Sequence, residues 1–366
     1  MHVSLAPMEG VIDSPMRRLL TDIGGYDRCV TEFVRVTDVL LPERVFFRIC
    51  PELATGCRTM SGIPVFVQLL GGQPHALAVN AVRAADLGAA GIDLNFGCPA
   101  KTVNRSDGGS VLLRSPHRVA DIVGRVRDAV DPALPVHAKI RLGYEHMDDF
   151  DEIAEGIAAA GANALCIHAR TKQQGYKPPA HWQRVSAFAA SAHKLTLTIN
   201  GEIWAVDDAY RAQIESGCEN LMLGRGALAR PDLARQIKAT MSGQSVRAMT
   251  WPEVLELVEL QFARSDMRTP RYIGNRTKQW LAYLKRNYQG AVLLFERIKR
   301  LHDIGEISDA FKQHRINDLS GLEDPDTLEN KSSLKNKSSS EKDDSIIVAG
   351  GVVNEAASVR VSVLHR

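Results

Sequence analysis

A chain of 366 residues, 45% apolar and 24% charged, has room for one large domain plus a smaller one and reads as an ordinary soluble globular protein. A net charge of only +2 means that any affinity for a polyanion must come from a local patch. The six cysteines (29, 50, 57, 98, 166 and 218) contain no CxxC pair, which argues against a zinc site and a disulfide framework. No apolar run approaches the roughly 18 residues of a membrane span, and Met1-His2-Val3-Ser4-Leu5 carries no signal pattern, so the expected home is the cytoplasm.

Short Val-, Ile- and Leu-rich runs recur at 3–7, 29–34, 64–70, 91–96, 135–142, 164–169, 195–200 and 220–224. Helical patterns lie between them, for example Ala76 to Leu87, Val119 to Val130, and Phe150 to Ala158 with Gly161 closing the last. The runs are continuous rather than alternating, as expected for strands of a parallel sheet buried on both faces. Eight strand–helix units predict an α/β fold of the (β/α)8 TIM-barrel type over residues 1–243, with a doubly wound open sheet as the competitor. Near residue 243 the rhythm stops. Thr250-Trp251-Pro252-Glu253 reads as a capped helix start, and 276–288 and 291–304 are helical in pattern, so 244–316 is expected to be a small all-helical domain. From about residue 317 the chain is Asp-, Ser- and Lys-rich, with polar low complexity at 331–345 and a short apolar ending of no clear pattern, and 317–366 is expected to be a disordered tail.

In a barrel, chemistry sits at the C-terminal ends of the strands. Here the runs end in Ala6-Pro7-Met8-Glu9-Gly10, Gln68-Leu69-Leu70-Gly71, Asn95-Phe96-Gly97-Cys98-Pro99, Lys139-Ile140-Arg141, His168-Ala169-Arg170-Thr171, Asn200-Gly201-Glu202 and Gly224-Arg225-Gly226. A lone cysteine such as Cys98 is more often a small buried hydrophobe than a reagent. Its place on a rim crowded with polar groups favours proton transfer, since an unperturbed thiol titrates at about 8.5. Glycines after the seventh and eighth runs, with the forked cation of Arg225, suit the phosphate tail of a cofactor. Lys139 and Gln68 could bond the polar edge of a ring system, a lysine there stabilising negative charge on a reduced flavin. The competing role for Lys139 is a buried ion pair with Asp93 or Glu202.

Taken together, these motifs resemble the tRNA-dihydrouridine synthase family over roughly residues 1–315. Glu9 after Ala6-Pro7-Met8, with Thr31-Glu32-Phe33-Val34-Arg35, is similar to the bacterial branch that modifies uridine 16 of the tRNA D-loop. Phe96 is bulkier than the small residue that the pattern favours, and the tail lies outside the pattern. The resemblance implies FMN, reduced by NADPH or NADH, as the source of hydride for a uracil ring. It implies that Pro7, Met8, Glu9, Gln68, Lys139, His168, Asn200, Gly201, Glu202, Gly224 and Arg225 hold FMN, and that Cys98 donates the proton. It also implies that Arg35, Asn95, Tyr176, Tyr272, Arg276 and Gln279 lie against tRNA. No metal and no obligate protein partner are expected.

Between Arg264 and Arg300 stand ten Lys or Arg against two acids, interleaved with Tyr272, Trp280, Tyr283 and Tyr288. That mixture suits phosphate contact with base or ribose stacking, although Trp280 on its own reads as core. The alternative function, another FMN barrel oxidoreductase acting on a small molecule, gives no reason for such a basic appendage.

Overall fold

The computed structural model describes residues 1–191, 195–264 and 274–320, with side chains through residue 316. Nine strands run in parallel: β1 (Val3–Leu5), β2 (Arg28–Val30), β3 (Val34–Arg35), β4 (Val65–Leu70), β5 (Ile92–Phe96), β6 (Val136–Arg141), β7 (Ala164–His168), β8 (Thr196–Asn200) and β9 (Asn220–Leu223). β1 pairs with both β2 and β9, and β2 pairs with β4, so eight strands close a barrel. β3 adds a short pairing along the end of β4. The closed barrel replaces the open-sheet competitor.

The expected strand at 29–34 is split into β2 and β3. Side chains between them leave the ladder for other partners. Thr31 Oγ1 accepts the Gln68 N–H at 3.0 Å, and the Glu32 carboxylate accepts the N–H of Gly10. Helices cover the outside at Pro74–Asp86, Pro116–Ala129 and Phe150–Ala159, where the apolar periodicity put them, and their inward faces join the main core. A second, smaller cluster of Ala6, Val30, Phe66, Cys166 and Met222 comes from the opposite faces of the strands and plugs the barrel interior.

Beyond the barrel, helices span Trp251–Arg264, Asn275–Leu284, Gln289–Ile298 and Ile304–Ser320. Glu253 accepts the Thr250 N–H at 2.7 Å, the back-reaching half of a capping box. These helices are bonded to the barrel. The indole of Trp280, 1% exposed, donates to Leu228 O at 3.1 Å, and Asn287 Nδ2 donates to Ala229 O at 2.8 Å. The described residues accordingly form one compact unit. The last helix spans Ile304–Ser320, and Ile307 and Phe311 anchor it in the core. The remainder of the tail lies outside the described residues, and among those described no helix is long and apolar enough to cross a membrane.

Candidate active site at the barrel mouth

The Cys98 loop leaves β5 and is held from several sides. Asn95 is the last residue but one of that strand, and its Oδ1 accepts the N–H groups of Gly97 and Cys98 at 3.0 and 2.9 Å. Its Nδ2 donates to Gln68 Oε1 at 2.8 Å, and Gln68 Nε2 donates to Asp93 Oδ2 at 2.6 Å. A residue expected to face the uridine therefore builds the turn that presents the thiol. The Cys98 carbonyl accepts three hydrogen bonds: Asn104 Nδ2 at 2.8 Å, Ser110 Oγ at 2.9 Å and Ser110 N at 3.0 Å. Arg141, 1% exposed, donates to Gly97 O at 2.8 Å and reaches Thr171 O and Gly175 O at 3.2 and 2.8 Å. It thereby ties the thiol loop to the loop after β7. Sequence reasoning noted Arg141 only as part of a motif and missed Asn104 and Ser110, which nothing local marks.

Cys98 alone among the six cysteines is not buried. Partial burial raises its thiol above the usual range; the nearby Glu9 carboxylate pushes the same way, while a backbone N–H and the guanidinium groups of Arg141 and Arg35 oppose them. At neutral pH the group is a neutral thiol.

Across the mouth, Lys139 on β6 donates from Nζ to Asn200 Oδ1 at 2.9 Å, and Asn200 Nδ2 donates to Met222 O at 2.8 Å. The ion pair considered for Lys139 does not form. Asp93 is taken by Gln68, and Glu202 is salt-bridged to Arg170. His168 on β7 is neutral, because burial and then the charges of Arg141, Lys139, Arg170 and Arg225 hold its imidazole well below its ordinary value. Gly201 follows β8 at φ +111°, where a Cβ would stand 2.8 Å from His168 Cδ2, so only glycine fits. Gly224 faces Met8: a Cβ there would lie 3.8 Å from Met8 Sδ, bringing the ends of β1 and β9 together. Pro7, Met8 and Arg225 are half-buried at this rim, and Glu9 is exposed there near Arg35.

Ion pairing among the described residues takes up only Arg170 of the four cations around His168. Arg225 is instead stacked between Tyr176 and Trp204, with its guanidinium carbon 4.8 and 5.0 Å from the ring centroids.

Residues 4–314 match the dihydrouridine synthase (Dus) family. The chain belongs to the dihydrouridine synthase family. Among its relatives, a tRNA-dihydrouridine(16) synthase of Pseudomonas putida is 49% identical over 84% of this chain and 95% of the relative. One of Shewanella oneidensis is 47% identical over 87% of this chain and 100% of the relative, and one of Escherichia coli O157:H7 is 44% identical with the same coverage. Solved structures of a 2-naphthoyl-CoA reductase (TM-score 0.53, 15% identity, 87% of this chain and 67% of that one) and a Rhizobium histamine dehydrogenase (TM-score 0.51, 12% identity, 87% and 62%) share the barrel fold.

In this dihydrouridine synthase the expected tRNA-facing residues do not all turn outward. Tyr176, 37% exposed, stands at the mouth with Arg225; burial raises the Tyr283 hydroxyl nearby, and the Arg225 charge opposes it. Arg286, exposed in the turn after the helix Asn275–Leu284, lies 4.1 Å from the Trp204 ring centroid and extends the cation–aromatic stack outward; Gln279 is exposed on that helix. Arg35 is exposed and donates to Thr102 O at 3.0 Å. Arg276 turns toward the barrel, where it donates to Gly10 O and pairs with Asp13 at 3.5 Å, clamping the turn after β1. Lys278, counted in the basic stretch, is buried and donates to Leu301 O, so it is no part of a surface patch. Tyr272, Arg268 and Arg271 lie outside the described residues.

Proposed function

We propose that the protein reduces a uridine of the tRNA D-loop, at position 16, to 5,6-dihydrouridine, with FMN as the bound cofactor and NADPH or NADH as reductant. The observation that carries this reading is Cys98: the one cysteine that is not buried, held on a hydrogen-bonded loop as a neutral thiol at the mouth of a dihydrouridine-synthase barrel.

The donor chemistry fits a phosphate-tailed flavin. Lys139, Arg141 and Arg225 are cations without a carboxylate partner among the described residues, in a mouth that also offers the glycine turns at 201 and 224. Arg225 would grip the phosphate with Gly201 and Gly224 close by. Lys139, oriented by Asn200, and Gln68 would meet the ring's polar edge, and Pro7, Met8, His168 and Glu202 would wall the site, with Glu9 at its rim. When bound and reduced, FMN supplies the hydride that adds to carbon 6 of the uracil.

Cys98 then gives its proton to carbon 5 and is left as thiolate, to be reprotonated from solvent. Asn95, Asn104, Ser110 and Arg141 hold the thiol loop in place for that transfer. Reaching the base requires it to be swung out of the folded tRNA. We assign that grip to the helical part, residues 244–316, acting with residues of the barrel rim: Gln279 on a helix and Arg286 in the turn that follows it, with Trp204, Tyr176 and Arg35 on the barrel. A tRNA substrate puts this work in the cytoplasm.

The test is Cys98→Ala. The variant should bind FMN and oxidise NADPH as before while forming no dihydrouridine in tRNA from a strain lacking the gene. Undiminished product would remove the acid role, and dihydrouridine restored at a position other than 16 would correct the target.

A further inference from the structure

The barrel has a second polar chamber at its opposite, N-terminal end. A pocket of about 250 Å³ opens among the first residues of β2, β6, β7, β8 and β9, with Arg28, His137, Asn163, Thr196, Thr198 and Asn220 in its lining. The plug of Ala6, Val30, Phe66, Cys166 and Met222 fills the interior between this chamber and the mouth. By the usual share of liquid volume the space would take about eight waters, enough for a small solute with some of its hydration shell.

Asn163 and Asn220 are hydrogen-bonded within the protein, but Arg28, His137 and Thr198 are short of partners. The Arg28 guanidinium lies 5.0 Å from the Phe66 ring centroid and donates once, from Nη2 to Ser4 Oγ at 3.2 Å; its Nε is buried without a partner. No carboxylate stands within ion-pairing distance of it among the described residues, and none lines the pocket. The three acids nearby are committed elsewhere. Asp27 holds Lys238 at 2.7 Å and the Val3 N–H, Asp93 accepts from Gln68, and Glu219 holds the N-terminal ammonium at 2.9 Å. His137 and Thr198 are 8% and 2% exposed, yet neither the ring nor the hydroxyl hydrogen-bonds to any described residue. Buried groups of this kind are nearly always satisfied by protein, water or ligand.

We propose that this chamber binds a small oxyanion, a phosphate or carboxylate group, gripped by the Arg28 guanidinium with the Thr198 hydroxyl and a His137 ring N–H completing its shell. A forked cation with uncharged donors and no carboxylate suits an anion and repels a metal ion. Burial and the Arg28 charge push His137 down to about 3, and a bound anion opposes the second of these. The chamber is independent of the reaction at the mouth.

The experiment is a titration of the flavin-loaded protein, labelled at histidine nitrogen, with inorganic phosphate at constant ionic strength. The ring resonance is assigned by its loss in His137→Gln. The His137 signal should move saturably at millimolar phosphate. Thr198→Val, nearly isosteric, should weaken binding about tenfold, as expected for the loss of one hydrogen bond to an anion, and Arg28→Gln should abolish it. Glycerol 3-phosphate and acetate, titrated in parallel, separate a free phosphate ion, an organic phosphate and a carboxylate as the preferred occupant. A His137 signal that moves no more than with chloride overturns the proposal, as does phosphate binding that is unchanged in Thr198→Val. The second outcome stands even if Arg28→Gln does not fold.

Discussion

Ser110→Ala isolates the support of the proposed proton donor from the donor itself. Ser110 is fully buried, and its Oγ lies 2.9 Å from Cys98 O and 3.0 Å from Asn104 Oδ1. Both neighbours are acceptors and the hydroxyl has one proton, so it can donate to only one of them at a time. In the variant the Cys98 carbonyl keeps Asn104 Nδ2 at 2.8 Å and Ser110 N at 3.0 Å, so the loop is loosened rather than released. One neutral hydrogen bond and one less-satisfied buried acceptor are worth about 1–2 kcal/mol of stability. In a protein of this size that lowers the melting temperature by a few degrees. The catalytic effect acts through placement: a shift of about 1 Å in a reacting group costs up to about 100-fold, and a partial loosening about tenfold. NADPH oxidation without tRNA should be unchanged, while single-turnover dihydrouridine formation falls about tenfold. If both rates fall together, or if stability drops and product formation does not, the loop does not position the thiol.

Other consequences follow from the same geometry. Because burial raises the Cys98 thiol, the alkaline limb of dihydrouridine formation should lie above the ordinary thiol range; a limb at or below about 8.5 argues against a neutral-thiol donor. Arg286→Gln should reduce the slope of log affinity for tRNA against log salt by about one, while Lys278→Met, whose ammonium is buried against Leu301 O, should leave that slope alone; equal changes would contradict the orientation of the two side chains. Trp280→Ala should cost about 3–5 kcal/mol in urea unfolding, since its ring is wholly buried and its N–H is bonded to Leu228 O; a loss below about 1 kcal/mol would mean that the helices do not contribute to the barrel's stability. His137 is held at about 3 in the fold and titrates near 6.5 when unfolded. The unfolded chain therefore takes up a proton first, and stability should fall as pH drops from about 6.5 toward 3, a component that His137→Gln removes.

How much of this was legible from residues alone depended on range. The strand runs and the helices at 74–86, 116–129 and 150–159 were readable because burial on two faces or one stripe writes a local period into the chain. The one mistaken strand, 29–34, broke because Thr31 and Glu32 are bonded to Gln68 and Gly10, partners that no local pattern announces. Asn95 was assigned toward substrate by motif; that its Oδ1 also holds the backbone of Gly97 and Cys98, and its Nδ2 Gln68, is visible only in the fold. The basic stretch was counted correctly as composition. Composition is blind to direction, though: Lys278 points inward, Arg276 clamps the Gly10 turn, and Arg286 alone of the three is exposed.

The sequence by itself determined the barrel and the set of strand ends that face its mouth, because strand placement follows from hydrophobic patterning and every parallel strand delivers its C-terminal residues to one rim. Tertiary structure decided what those residues are to one another. It set Lys139 against Asn200 rather than Asp93 or Glu202, stacked Arg225 between Tyr176 and Trp204, and gathered Asn104, Ser110 and Arg141 around the Cys98 loop. Hydrogen bonds and ring stacking act over a few ångströms between segments far apart in the chain, and only the closed barrel brings those segments within reach.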